Sequence, residues 1–294
     1  MRTERTISMM WRRWSKWACC FGLLAGMQAA EIPEALRGVL TLHASFEDVV
    51  DAAYARGDKR IYNAPSYKEQ SAAQPGVGDV DVAIEKGAGV GGGGALRFRS
   101  ENKAALFFRG TDHVTPAAGT FSFWLKLDPQ TELAPGFCDP VQITDKAYND
   151  SAIWVDFTKD ERPRHFRLGT FGALKEWNPA NRPPDQNPDF TNRLVVLQKP
   201  PFAADRWTHI AITWTALGTE KGSATLFVDG KRIGTTGAVR ESFSWDPKLL
   251  AIRLGVSYTG LMDEVAVFSS ALSEHDLNML RTTAQKPLGP ISAH

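Results

Sequence analysis

The sequence predicts an all-β fold, an antiparallel sandwich of two sheets with one short helix near the C-terminus. Two observations carry this prediction. Apolar residues recur with a period of two, as in GTFSFWLKLD (119–128), where Phe121, Phe123 and Leu125 share one face. Glycine, proline and aspartate separate such segments, which is typical of strands joined by turns.

Ten segments with this alternation are predicted as strands, and they are separated by three long irregular stretches at 47–94, 129–150 and 172–205. Asp229-Gly230 lies between two extended runs and predicts a type I′ hairpin. Ser273 as N-cap and Asp276 at the third helical position predict the helix. The predicted strands lie at 39–46, 95–99, 104–109, 119–128, 151–157, 164–171, 206–214, 223–229, 251–256 and 261–268.

Residues 1–30 are predicted to be a secretory signal peptide rather than part of the fold. Five basic residues precede a short apolar run, ACCFGLLAG (18–26), and Gln28-Ala29-Ala30 follows as a small-residue cleavage site. The apolar run is shorter than the roughly 20 residues that span a bilayer. We therefore expect a secreted or periplasmic protein with one domain over 31–281 and a flexible tail over 282–294.

Charge and cysteine content exclude several classes of function. The chain has 34 basic and 33 acidic residues. The predicted leader holds five of the basic and one of the acidic residues, so 29 and 32 remain, a net charge of −3. Such a domain has no electrostatic case for nucleic acid or anionic membranes, and no later segment is apolar enough for membrane insertion. Cys138, the one cysteine outside the leader, is expected to be a buried small hydrophobe.

Four stretches in the order GTFSFWLKL, RWTHIAITW, ATLFVDGKRIG and IRLGVSYTGLMDEVAVFSSALSEHDL are similar to motifs of one family. They resemble the laminin-G-like, concanavalin A-like jelly-roll domains of exported bacterial proteins, over roughly residues 38–281. The resemblance implies a jelly-roll sandwich. It implies less about function, because this fold hosts lectins, glycanases, lyases and adhesion modules.

The resemblance also implies a metal site, because laminin-G-like domains often hold calcium near the ends of such strands. It makes Asp263 a candidate ligand. Glu47, Asp48 and Asp51 follow the first strand, which in this fold commonly neighbours the last, and carboxylate oxygens are what calcium needs. The alternative is that these acids cap turns or accept hydrogen bonds from backbone amides.

Catalytic motifs are incomplete, so the sequence favours a protein without catalysis. Asp263 and Glu264 are adjacent, and consecutive strand residues point to opposite faces unless a bulge intervenes, so they are not predicted as an acid–base pair. Jelly-roll glycanases resemble one another in a strand with the pattern E-x-D-x-x-E, and this sequence lacks that pattern. VQIT (141–144) only partly matches a lyase motif, with threonine where histidine would act as acid or base.

The stretch 137–172 is dense in acids, amides and aromatic residues and is the predicted ligand site. Trp154 and Asp156 alternate with Val155 and Phe157, which gives a polar-aromatic face of the kind that binds sugar rings. Trp177 is expected to add to it from a loop. The predicted ligand-binding residues are Asp139, Asp145, Tyr148, Asn149, Trp154, Asp156, Arg164, His165 and Trp177.

The sequence thus predicts an exported, non-catalytic module that binds a glycan or cell-surface polysaccharide, with a structural calcium. Two alternatives stay open at this point. One is a glycan hydrolase or polysaccharide lyase that uses the 139–167 cluster. The other is a structural or adhesion module without a small ligand, for which Trp154 would be a core residue.

Overall fold

The computed structural model describes residues 31–78 and 81–287, so the predicted signal peptide lies outside the described residues. Two antiparallel sheets pack face to face, and each of the ten predicted segments contains a strand. The predicted jelly-roll sandwich is confirmed. In the described residues, no helix is long and apolar enough to cross a membrane.

The first sheet has nine strands, paired in the order β15-β14-β13-β8-β17-β1-β2, with β6 joining β17 to β5. The strands are β1 Leu40–Ala44, β2 Tyr54–Ala55, β5 Val82–Glu85, β6 Ala95–Phe98, β8 Ala118–Lys126, β13 Thr208–Thr215, β14 Ser223–Val228, β15 Lys231–Thr235 and β17 Gly260–Phe268.

The second sheet has eight strands, in the order β12-β11-β10-β9-β16-β7-β3-β4. The strands are β3 Ile61–Ala64, β4 Gln74–Pro75, β7 Ala105–Arg109, β9 Cys138–Thr144, β10 Ala152–Phe157, β11 Phe166–Phe171, β12 Leu194–Leu197 and β16 Ala251–Val256. The stretches 47–94, 129–150 and 172–205 were predicted to be irregular, and this prediction was wrong where strands form. Strands β2 to β5 lie in the first stretch, β9 lies in the second and β12 lies in the third.

The main core fills the space between the two sheets. Phe121, Phe123 and Ile212 of the first sheet and Ile143 and Val155 of the second belong to one buried cluster. Alternate residues of the same strands point away from this core. The outer faces of both sheets are therefore available for helices, loops or ligands.

Two of the described helices cover the outer face of the first sheet. In the part of the chain that the structure describes, the α-helices are α1 Glu34–Arg37, α2 Leu174–Trp177, α3 Pro188–Thr191 and α4 Glu274–Ala284, and 3₁₀ turns span Tyr67–Ala72 and Pro184–Gln186. Leu36 of α1 and Leu277 of α4 pack with Phe227 and Phe268 of the sheet. The helix α4 continues to Ala284, three residues into the predicted tail.

Two local predictions are confirmed in detail. Asp229 and Gly230, with φ of 49° and 75°, connect β14 to β15 as the predicted type I′ turn requires. The Ser273 hydroxyl accepts a hydrogen bond from the Asp276 amide, and the Asp276 carboxylate accepts one from the Ser273 amide, which completes the capping box. Cys138 is buried, as predicted.

Candidate functional site

A single row of outward-facing residues crosses the second sheet at right angles to its strands. Register pairs place these residues side by side from β3 to β12. The aromatic residues at one end of the row are covered by Tyr67 and Ala73. The row runs Tyr62, Phe107, Arg253, Gln142, Trp154, Gly169 and Leu194.

A cleft of about 300 Å³ lies on this outer face, over β9, β10 and β11. At its mouth stand two exposed rings, Phe137 (49% exposed) and Tyr148 (40% exposed). Polar side chains of the three strands form the floor. The full lining is Phe137, Asp139, Gln142, Tyr148, Trp154, Asp156, Arg167, Pro184 and Phe190.

An ion pair holds the floor of the cleft together. Arg167 lies opposite Asp156 on the neighbouring strand. Its Nε donates to Oδ1 at 2.8 Å and its Nη2 donates to Oδ2, so the two groups form a fork. This fork does not use Nη1 of Arg167. The guanidinium also lies 5.1 Å from the ring centre of Phe137.

Gln142 links the cleft to a buried arginine. Its Nε2 donates to Asp139, and its Oε1 accepts from Nη1 of Arg253 at 3.2 Å. Planar amide, carboxylate and guanidinium groups thus form one network across the neighbouring strands β9 and β16. Such groups are the usual partners of sugar hydroxyls, because they donate and accept in fixed directions.

The two acids of the cleft have raised pKa values. Burial raises the pKa of Asp139 to about 7, and the nearby Asp156 carboxylate adds to the rise. Burial also raises the pKa of Asp156, and the hydrogen bonds from Arg167 oppose that rise. Asp139 therefore exchanges its proton near neutral pH, where it can either donate or accept a hydrogen bond.

Trp154 lines the cleft, but it is a wall rather than the open platform that the sequence predicts. It is 2% exposed. Its ring stacks on Phe171 at 5.8 Å, and its Nε1 donates to the Tyr148 carbonyl at 2.7 Å. Loop 172–192 adds Phe190 above Phe171, so distant residues cover the indole face. The exposed rings are Phe137 and Tyr148.

The cleft contains four of the nine predicted ligand residues, and the other five lie outside its lining. Trp177 is buried against Phe171. Arg164 is 2% exposed and donates to the carbonyls of 134 and 136, which fixes the loop that carries Phe137.

The remaining three outlying residues make local contacts. Asp145 accepts a hydrogen bond from the Asp246 amide at 2.8 Å. Asn149 accepts from the Trp177 indole through its backbone carbonyl, and His165 donates to Thr158 through its backbone amide. Asp145, Asn149 and His165 therefore hold local loop structure through these hydrogen bonds.

Sequence reasoning did not name Phe137, Gln142, Arg167, Pro184 or Phe190 among the ligand-binding residues, although the first three lie in the predicted stretch 137–172. Recognition of β9 as a strand would have supplied Gln142, because it alternates with the core residues Val141 and Ile143. No sequence pattern points to Pro184 and Phe190. They follow β11 in the chain, Pro184 in a 3₁₀ turn and Phe190 in α3.

Gly169 allows the Trp154 wall to form. A Cβ at Gly169 would overlap the indole ring. We expect Gly169→Ala to displace Trp154 and to lower the free energy of unfolding by roughly 1–3 kcal/mol, as overpacking does. Urea unfolding checks this. Gly38→Ala is the matched control, because nothing lies within 4 Å of its added Cβ, and an equal loss in both variants would contradict the prediction.

The second acidic group lies on the other sheet, around a β-bulge at Asp263 and Glu264. Pairing with β8 is irregular between Asp263 and Ala266, and Glu264 has a φ of 49°. The sequence argument excluded an acid–base pair unless a bulge intervenes, and the structure has a bulge here. Both carboxylates are nevertheless buried in structural contacts, since Glu264 lies 2.7 Å from His43 Nε2 and Asp263 accepts from the Val90 amide at 2.7 Å.

The structure brings together only two of the four predicted calcium ligands. Glu47 accepts from the Gly94 amide at 2.8 Å, so Glu47 and Asp263 both contact the glycine loop 87–94. Asp48 pairs with Lys86 at the surface, and Asp51 accepts from the Ile61 amide. Within 31–78 and 81–287, no three His, Cys, Asp or Glu residues form a group that could hold a metal. The predicted quartet therefore does not fit a calcium site.

Comparisons with known proteins agree on the fold. A laminin-G family model, described as the concanavalin A-like lectin/glucanases superfamily, matches residues 99–278. A search of curated proteins gave no significant match.

Several solved structures share the architecture. Domain 4 of the extracellular arabinanase AbnA from Geobacillus stearothermophilus, in complex with arabinotriose, aligns with a TM-score of 0.52 and 14% identity over 83% of this chain and 98% of that one. The binding domain of botulinum neurotoxin DC, in complex with SialylT, aligns with a TM-score of 0.54 and 8% identity over 84% of this chain and 52% of that one. The chain thus spans about half of the neurotoxin domain. These identities show the fold alone.

Proposed function

The chain belongs to the concanavalin A-like lectin/glucanases superfamily, and from that premise we propose that it is a non-catalytic module that binds a glycan in the cleft over β9, β10 and β11. The observation that carries the proposal is the composition of this cleft. Exposed rings at Phe137 and Tyr148 flank a floor of planar polar groups at Asp139, Asp156 and Arg167.

Sugar recognition needs both parts of this arrangement. The apolar faces of sugar rings pack on aromatic rings, and their hydroxyl groups require directional donors and acceptors. The cleft offers the Nη1 amino group of Arg167, which the fork to Asp156 does not use, and a carboxyl at Asp139 that titrates near pH 7. The arabinotriose complex of a domain with the same fold supports the class of ligand.

Binding to a polysaccharide panel tests the proposal. We expect the wild-type protein to be retained by at least one of immobilised arabinan, xylan, dextran, cellulose and alginate. We expect Tyr148→Ala to weaken this binding about tenfold, because an aromatic contact of about 1.4 kcal/mol is lost. Tyr54→Ala is the matched control, since Tyr54 is similarly exposed at 44% but lies on the other sheet. If the wild-type protein binds neither to this panel nor to a glycan array, the proposal is rejected.

We also propose that the protein is exported. The basic, apolar and small-residue regions of the first 30 residues support this part of the proposal. Cell fractionation of a strain that expresses the full chain checks it. Export predicts a protein in the periplasm or medium that begins near residue 31, and a cytoplasmic protein with its N-terminus intact contradicts it.

A structural calcium remains a proposal, now limited to Glu47 and Asp263. Burial raises the pKa of both carboxyl groups, and the nearby Glu264 carboxylate adds to each rise, which a bound cation would relieve. We expect the melting temperature to rise by several degrees when calcium replaces chelator. Glu47→Gln should remove this difference, whereas Asp48→Asn should retain it. The same melting temperature in calcium and in chelator would contradict the proposal.

A glycan hydrolase is the second candidate function, and one observation favours it. Asp139 has a pKa of about 7 beside the second carboxyl of Asp156, and glycosidases use one protonated and one ionised carboxyl. This candidate predicts new reducing ends from a bound polysaccharide, lost in Asp139→Asn. Binding without release of reducing ends supports the module without catalysis.

A further inference from the structure

The cleft is closed at one end by a buried arginine. Arg253 lies next to Gln142 in the row across the sheet and is 5% exposed. Its Nη1 donates to Gln142, its Nη2 donates to the Lys146 carbonyl at 3.0 Å, and its guanidinium lies 4.3 Å from the ring centre of Tyr67. Side chains therefore fill the row immediately beyond Gln142.

The segment that carries Tyr67 is anchored over the neighbouring strands. Tyr67 and Ala73 pack on Tyr62 and Phe107 of the outer face. Gln70 donates to the Leu249 carbonyl at 2.6 Å and ties the segment to the residues just before β16, the strand that contains Arg253. This closed end is consequently a packed wall and not the tip of a loose loop.

The opposite end of the cleft opens to the edge of the sheet. Arg167 is paired in register with Val196 of β12, and β12 ends the eight-stranded sheet. Val196 is 44% exposed and points to the same face as Arg167. A chain that leaves the cleft on this side can therefore pass over Val196 into solvent.

From these two ends we infer that the cleft takes the terminal unit of a glycan chain rather than an internal stretch. The inference deepens the proposed function and rests on it. The terminal sugar lies against Gln142 and Asp139, and the rest of the chain leaves over Arg167 and Val196. An internal stretch would have to continue through the space that Arg253 and Tyr67 occupy.

The amount of protein that binds per gram of polysaccharide, compared between chains of different length, tests the inference. Whichever panel polysaccharide binds is divided into linear fractions of about 20 and about 200 units, and each is titrated at equal mass. Recognition of chain ends predicts about tenfold more protein bound per gram of the short fraction. Recognition of internal stretches predicts nearly equal capacity, and that result would overturn the inference. Absence of binding to every panel member would instead reject the proposed function, and the inference with it.

A variant of the wall gives a second readout. Tyr67→Ala removes the ring that packs on Arg253, and we expect the capacity of the long fraction to rise at least twofold as the closed end opens. Tyr54→Ala is the control and should leave both capacities unchanged. If Tyr67→Ala does not fold, the length series with the wild-type protein still decides the question.

Discussion

Asp156→Ala is expected to lower the free energy of unfolding by about 3 kcal/mol, because it breaks a buried ion pair. The side chains of Asp156 and Arg167 are 5% and 15% exposed, so the variant leaves a largely desolvated guanidinium without its acceptor. The partial exposure of Arg167 and its contact with the Phe137 ring place the loss at the lower end of the range for such pairs. Urea unfolding at pH 7 measures the change.

The surface pair of Asp48 and Lys86 provides the control. These side chains are 61% and 77% exposed, so Asp48→Ala should cost under about 1 kcal/mol. The double variant Asp156→Ala/Arg167→Met removes both charges and should recover part of the loss. If Asp156→Ala costs no more than Asp48→Ala, the ion pair does not support the cleft.

Asp139→Asn is expected to stabilise the protein at pH 8 by on the order of 3 kcal/mol and to leave it nearly unchanged near pH 4. Burial, assisted by Asp156, raises the folded-state pKa from 3.8 to about 7. The folded state thus binds the proton more tightly than the unfolded state. This contribution to stability is complete below about pH 4 and is lost as the pH rises through about 7.

Urea unfolding of wild type and variant at several pH values measures this difference. Asp205→Asn, a change at an exposed aspartate of another loop, is the control and should follow the wild-type curve at every pH. A constant difference between Asp139→Asn and wild type from pH 4 to pH 8 would show that Asp139 does not titrate in this range.

The strands with long alternation could be predicted, because each has one face in the core between the sheets. Strand β8 supplies Phe121 and Phe123 to that core without interruption. Strand β9 could not be recognised in the same way, since Asp139 and Pro140 interrupt its pattern near the start. Its pairing with β10 is irregular at the same place, where the floor of the cleft forms.

Part of the candidate site followed from alternation, and part depended on distant packing. Trp154 and Asp156 were assigned to the correct outer face. The cover over Trp154 comes from Phe171 and Phe190, and only the tertiary structure reveals it. Closeness in the sequence did not predict which of the acidic residues after β1 lie close together in the structure.

Asp48 and Asp51 are close to Glu47 in sequence, but their side chains turn to the surface and to the Ile61 amide. The bulge at Glu264 was equally hidden, because its positive φ occurs at a residue that is not glycine. Alternation is therefore no argument against an acid–base pair at Asp263 and Glu264. The contacts of the two carboxylates with His43 and with the Val90 amide are the argument that remains.

Isothermal titration with the glycan identified in the panel tests the central claim most directly. The account predicts saturable binding at one site per wild-type molecule, about tenfold weaker binding by Tyr148→Ala, and unchanged binding by Tyr54→Ala. Equal affinity of the wild type and Tyr148→Ala for that glycan would contradict the assignment of its site to the cleft between Phe137 and Tyr148.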